Sequence, residues 1–316
     1  MKKLLLKGAV SAILIWLLLR NTNTDAVVAQ LFDVGWRAFV LATVLLAALA
    51  LPANLRWQMV LRALGRRIRF GHGLRLVLIG LFFNQVLPSN VGGDAVRIWQ
   101  IRRDGVDLRT AINSVVIDRL MALGILFLII LVALPALFAI ISGPVARTAI
   151  VLLAAGGLVG YVLFAFLGRL PEFFFRWRAT KAIAALSADF RTVISSPRFG
   201  SAALALSLFI QLVSALAVFV LAASLQYKVS LIDCIILMPP VILATAIPIS
   251  IAGWGVREGA MVVAFGYVGL SAHDALALSV LFGAAMICAG LPGGLVWIAT
   301  GGRKPPPDIV EEEVRP

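Results

Sequence analysis

Six charged side chains stand where lipid, not water, would surround a helix: Asp94, Arg97, Asp118, Arg119, Arg257 and Glu258. Placing a charge in hydrocarbon is costly, so intramembrane ionisable groups mark substrate paths or built-in ion pairs. Guanidinium groups present a fork of donors that fits phosphate and carboxylate oxygens, whereas carboxylates accept from amines. Three bases and three acids therefore suit either a self-neutralised scaffold or a chamber for a headgroup bearing both phosphate and amine. Asn84, Gln85, Asn90 and Ser250 supply neutral polar groups for the same chamber.

Three of the six charges, Asp94, Arg97 and Arg257, belong to two related motifs, LPSNVGGDAVR (87–97) and IPISIAGWGVR (247–257), and Glu258 directly follows the second. A displacement of 160 residues carries Pro88 onto Pro248, Gly93 onto Gly253, Val96 onto Val256 and Arg97 onto Arg257. Proline and glycine interrupt an apolar helix here, and freed backbone amides in hydrocarbon need partners. Gly92 and Gly93 are expected to form a tight turn with Asp94 capping the following helix, and Gly253 and Gly255 flank the second turn. Each break then aims a helix N-terminus, with its free amides and partial positive charge, into the membrane. Asp94 lies three residues before Arg97 and can reach it; Glu258 is adjacent to Arg257, a spacing at which helix side chains do not face one another. The Asp118–Arg119 pair falls ~15 Å into its span.

The elements that must hold these groups are apolar windows at 4–19, 38–61, 74–88, 108–134, 147–168, 199–224, 231–248 and 274–299. A spanning helix needs about 20 residues, and the windows ending in the two motifs are short. They are read as re-entrant hairpins near 74–105 and 231–270. The expected fold is an all-α polytopic membrane protein with about six spans and two re-entrant hairpins, arranged as an inverted repeat of 1–134 and 135–300. Residues 169–198 read as a basic, aromatic interfacial connector, and 301–316 as a disordered cytoplasmic tail. Arg56, near a span end, is expected to snorkel to the headgroups beside an interfacial Trp57.

Bulk composition agrees with this class. Hydrophobic residues make up 61%, charged residues 14%, and mean hydropathy is +1.02, values that exclude a soluble domain. The net charge of +13 resides in short segments between apolar runs, so it reads as topology signal and lipid contact, not nucleic-acid binding. With both termini cytoplasmic in a bacterial-type inner membrane, sixteen basic residues from Arg62 to Lys304 fall inside, against Arg20, Arg37, Arg147 and Lys228 outside. Cys234 and Cys288 lie in apolar runs, His72 and His273 lack further ligands at metal spacing, and neither a nucleotide loop nor a catalytic set is recognisable. No cofactor, metal or enzymatic activity is expected.

At FFNQVLPSNVGGDAVR, at IDRL around Asp118 and Arg119, and at IPISIAGWGVREGA, the chain resembles the lysylphosphatidylglycerol synthase transmembrane, or flippase-like, family. Members resemble the flippase portion of the multiple peptide resistance factor, which moves aminoacylated phosphatidylglycerol between leaflets; stand-alone members are linked to hopanoid lipids. The resemblance implies lipid translocation through a chamber lined by Pro88, Gly92, Gly93, Asp94, Arg97, Asp118, Arg119, Gly253, Gly255, Arg257 and Glu258. It implies membrane lipids with anionic or zwitterionic headgroups as partners, and is compatible with a homo-oligomer and a separate lipid-modifying enzyme. The sequence ends soon after the last span, so synthesis of lysyl-lipid by this chain is not expected. Rival readings are a transporter of a small soluble anion and a membrane enzyme or accessory subunit acting on lipid-linked substrates.

Overall fold

A computed structural model describes residues 34–87, 92–141, 143–171, 177–246 and 253–300. The window at 4–19, the tail at 301–316, and Pro88, Asn90 and Ser250 lie outside the described residues. Among the described residues the protein is all-helical. Helix α1 (Trp36–Ala48) runs into α2 (Ala50–Ala63), followed by α3 (Phe70–Val86), α4 (Gly92–Arg103) and α5 (Leu108–Ile140). Then come α6 (Pro144–Val151), a widened turn at Leu152–Gly156, α7 (Gly157–Leu167) and α8 (Arg178–Ile194). The chain closes with α9 (Phe199–Ser224), α10 (Leu231–Ala246), α11 (Val256–Gly266) and α12 (Ala272–Ala299).

Among the described residues, five segments are long and apolar enough to cross a membrane: Trp36–Ala63, Leu108–Ile140, Pro144–Leu167, Phe199–Ser224 and Ala272–Ala299. Phe70–Val86 and Leu231–Ala246 are apolar but shorter. The expected windows that fall within the described residues are recovered, with one extension: α5 continues through Pro135 to Ile140. A buried or lipid-bound helix tolerates an internal proline because its neighbours re-satisfy the freed carbonyl, and Pro239, Pro240 and Pro292 are carried inside helices in the same way. Asp107 caps α5 by accepting from the Thr110 backbone N–H at 2.9 Å. That bond, reinforced by the Thr110 side chain and by Arg66, holds the exposed Asp107 carboxyl below its ordinary pKa.

The first short pair folds back on itself. His72 near the start of α3 meets Asp104 just past the end of α4 at 2.5 Å, and Arg66 before α3 meets Asp107 after α4 at 3.4 Å. Its arms approach closely at Gly80 and Gly93, where a Cβ on Gly93 would run into the Gly80 carbonyl oxygen. Here the expectation of a tight turn at Gly92 and Gly93 fails: both are the first residues of α4, and neither has a positive φ. Gly93 is small because the Gly80 backbone occupies the space, and Gly92 because the Leu87 side chain does. Asp94 sits in the first turn with its carboxylate bonded to Arg119 and close to Arg97. In the second motif Gly253 and Gly255 do adopt left-handed backbone, φ 80° and 86°, a conformation glycine takes without strain.

The contacts of the two halves exchange under the 160-residue displacement. Helix α3 packs on α12 and α10 on α5; α1 packs on α12 and α9 on α5; α2 packs on α5 and α9 on α12, while α9 also meets α1 and α2 directly. Helix α12 is the most enclosed span and α6–α7 the most exposed. Glycines make that enclosure possible, since Gly293 and Gly294 face Leu78 and Phe82 of α3 with no room for a side chain, and Gly290 lies in ordinary contact with Phe82 and Gln85. Close approach through small residues is how helices associate where lipid removes the hydrophobic drive. The connector contains α8, docked through buried Phe190 and Val193 and through Ser187, whose hydroxyl donates to the Phe164 carbonyl at 2.6 Å. Phe173 to Phe175 lie outside the described residues.

These contacts predict that Gly93→Ala and Gly293→Ala each destabilise the purified protein by about 1–3 kcal/mol, the usual range for overpacking. Gly160→Ala, which meets open space, should leave the thermal midpoint in detergent unchanged or slightly raised. Equal midpoints for all three variants would refute the packing role.

Candidate functional site

The first motif's charges form one alternating chain across three helices. From α2, Arg56 Nε donates to Asp118 Oδ1 at 2.7 Å; from α4, Arg97 Nη2 donates to Asp118 Oδ2 at 3.1 Å. Arg97 Nη2 also lies 3.6 Å from Asp94 Oδ1. Arg119 on α5 then grips Asp94 with both nitrogens, Nε to Oδ2 at 2.7 Å and Nη2 to Oδ1 at 3.0 Å. The order is therefore Arg56, Asp118, Arg97, Asp94, Arg119. Arg56 extends the chain to α9 through Ser207 at 3.3 Å.

Most of this chain is sealed. Arg56, Asp94, Arg97 and Asp118 are each at most 6% exposed, whereas the Arg119 side chain is 47% exposed. Arg97 lies over the Trp57 ring at 4.7 Å, and Trp57 is fixed by its indole N–H donating to Ser114 at 3.2 Å. A desolvated guanidinium over an indole gains cation–π attraction of about 2 kcal/mol. Arg56 and Trp57 thus contradict the expected snorkel and interfacial anchor. They turn inward because Asp118 on the facing helix offers a carboxylate within direct reach, and a buried pair with matched geometry outcompetes a stretched side chain.

Adjacent Asp118 and Arg119 do not pair with each other in any hydrogen bond; they point to different partners, as adjacent helix positions should. Adjacent Arg257 and Glu258 break that rule. Arg257 Nη2 donates to Glu258 Oε1 at 2.7 Å and Nε to the same oxygen at 3.1 Å. The reason lies in the helix start: Glu258 Oε2 accepts from the Gly255 N–H at 2.6 Å, which folds the glutamate back toward the N-terminus and into the guanidinium's path. Ser279 on α12 joins both, accepting from Arg257 Nε at 3.3 Å and donating to Glu258 at 3.2 Å. Trp254 lies under Arg257 at 4.7 Å, and Gly283 leaves space for the guanidinium. Both motif arginines therefore rest on an indole.

The remaining sequence candidates fall around these clusters. Asn84 Oδ1 accepts from the Gly93 N–H at 2.9 Å, so a side chain from the opposite arm serves a free amide at the start of α4. Gln85 packs near Gly290. No hydrogen bond or ion pair among the described residues joins the two clusters. Helix α12 meets Arg257 at Gly283 and Gln85 of α3 at Gly290, positions ~10 Å apart along the helix. Ser207 and Ser279 belong to the clusters without any signal in the sequence, and Arg56 and Trp57 belong to them although their position reads as interfacial. The readable signal for Arg56 was a polar run, Asn54, Arg56 and Gln58, within an apolar window; all three are buried.

Charge does not cancel in the first cluster, which holds three guanidinium groups and two carboxylates, whereas the second holds one of each. Arg97 Nε is moreover buried without a hydrogen-bond partner. An anion is the complement that both facts describe.

Comparison with known proteins agrees with these motifs. Residues 4–293 match the family described as the lysylphosphatidylglycerol synthase TM region. A UPF0104 membrane protein of Archaeoglobus fulgidus is 26% identical over 118 residues, 37% of this chain and 35% of that protein. Another from Methanocaldococcus jannaschii is 25% identical over 114 residues, 35% of this chain and 34% of its own length. The chain thus spans about a third of the length of these curated relatives. A match that takes in both glycine-arginine motifs and all five long apolar segments except the end of the last places the chain in one group: it belongs to the lysylphosphatidylglycerol synthase transmembrane-region family.

Proposed function

We propose that this membrane protein is a lipid translocator, not an enzyme, moving a phospholipid or modified lipid headgroup, aminoacylated forms included, between the leaflets of a bacterial-type inner membrane. The observation that carries this reading is the unmatched positive charge of the Arg56–Asp118–Arg97–Asp94–Arg119 chain. A lipid phosphate would supply the missing negative charge, reaching the chain at half-exposed Arg119 while its acyl tails stay in lipid. Asp94 and Asp118 then offer acceptors to a headgroup amine if an arginine is displaced.

The proposed frame is an inverted repeat of 1–134 and 135–300 with both termini cytoplasmic. It is supported by the exchange of helix contacts between halves and by the ends at which each hairpin closes. The first closes where Arg66, His72, Asp104 and Asp107 meet. Helix α12 runs antiparallel to α3, with Gly293 at Leu78 and Gly290 at Gln85, so the start of α12, which follows the second hairpin, lies at the other end. Broken segments with opposed entry are the plan by which many transporters form a midplane site. Rocking of one half on the other would alternate access.

Reconstituted vesicles bearing a fluorescent phospholipid test the reading by leaflet exchange, read as dithionite-sensitive fluorescence. Exchange above empty vesicles is expected, with Arg97→Ala and Arg257→Ala reducing it at least tenfold and lysine restoring only part, because the planar fork is lost. Rates equal to empty vesicles for the wild-type protein would reject translocation; full activity in either alanine variant would assign that arginine to structure. Asp118→Asn strands Arg56 and Arg97 and should lower stability by about 3–5 kcal/mol, the cost of breaking a buried pair. A wild-type melting curve for that variant would contradict the chain as drawn.

A further inference from the structure

We infer that the mouth of the first hairpin carries a second anion site, separate from the buried chain, that takes a glycerophosphate group. A cavity of about 270 Å³ lies there, lined by His72, Arg75, Trp99, Gln100, Arg103 and Asp104 together with Trp297 and Thr300 at the end of α12. Two of its lining residues each carry a polar atom that is buried without a hydrogen-bond partner, Nε1 of the Trp99 indole and Oε1 of Gln100. Trp99 itself is only 7% exposed. Buried polar atoms are almost always paired, so an orphan donor and an orphan acceptor on residues that line one cavity point to a ligand that pairs both.

The charges define that ligand. Arg75 Nη2 lies 2.9 Å from His72 Nδ1, and His72 Nε2 lies 2.5 Å from Asp104 Oδ2. A guanidinium can only donate, so His72 Nδ1 accepts from Arg75 while Nε2 faces the Asp104 carboxylate. Asp104 is thereby engaged, leaving Arg75 and Arg103 against one carboxylate, a net positive cavity. Arg103 is held over the Trp99 ring at 5.3 Å, and Trp99 packs on Trp297 at 6.2 Å. Arg75, Arg103 and the Trp99 N–H are the donors a phosphate needs, while Gln100 Oε1 requires a hydroxyl or ammonium beside it. The volume admits a phosphate with a short polyol. Arg97, Gln100 and Asp104 form one stripe of α4, and Arg103 lies ~9 Å along the helix from Arg97, so the site stands at the entrance to the buried chain. Its occupancy requires no transport.

Native mass spectrometry of the full-length protein from non-ionic detergent tests this, with sn-glycerol 3-phosphate in one titration and short-chain phosphatidylglycerol in another. We expect a saturable bound species whose occupancy falls at least fivefold in Trp99→Phe, which keeps the ring but removes the N–H, and in the exposed-residue variant Arg103→Gln. In the glycerol 3-phosphate titration Arg97→Gln should lower occupancy far less than Arg103→Gln does, which separates this site from the buried chain. Loss in the lipid titration alone assigns the group to a headgroup, and loss in the soluble titration alone assigns it to a free organic phosphate. Either supports the site. No bound species in the wild type, or equal occupancy in Trp99→Phe, Arg103→Gln and wild type, would overturn it.

Discussion

A buried guanidinium must have its charge answered, and this requirement organises the bundle. Asp118 answers two arginines at once, Arg56 from α2 and Arg97 from α4, so a single carboxylate fixes the hairpin against two spans. Burying an ion costs several kcal/mol even after relaxation, and a chain of shared partners spreads that cost over five residues. The price of such sharing is an imbalance, three bases to two acids, which a fully apolar core would not have.

Glycine provides the geometry that the charges require. Gly80 and Gly93 bring the arms of the first hairpin together, Gly283 makes room for Arg257, and Gly290, Gly293 and Gly294 let α3 lie on α12. The left-handed Gly253 and Gly255 turn the second motif so that Glu258 can both serve the Gly255 amide and hold Arg257. The motifs are alike in sequence yet reach the same end, an arginine over an indole, by different backbone routes. In the first the indole comes from another helix; in the second it comes from the turn itself.

Much of this was legible in sequence because its signals are local. Segment length and apolarity gave the spans, and a fixed displacement exposed the paired motifs. Pairings were less legible because they depend on which faces meet. Arg56 and Trp57 read as interfacial from position alone, since nothing near them in sequence announces Asp118, sixty-two residues away. Gly92 and Gly93 read as a turn because glycine signals a turn and a close approach equally. Arg257 and Glu258 read as unable to pair because the rule for adjacent helix residues assumes a regular interior, not a first turn bent by a cap.

The account rests on a lipid headgroup meeting the buried charge chain inside the bilayer. Vesicles containing the protein and a phospholipid with a photoreactive headgroup, irradiated and then digested for adduct mapping, examine that most directly. The account predicts adducts on α4 and α5 around Arg97 and Arg119. Adducts confined to residues at the two ends of the bundle would contradict it.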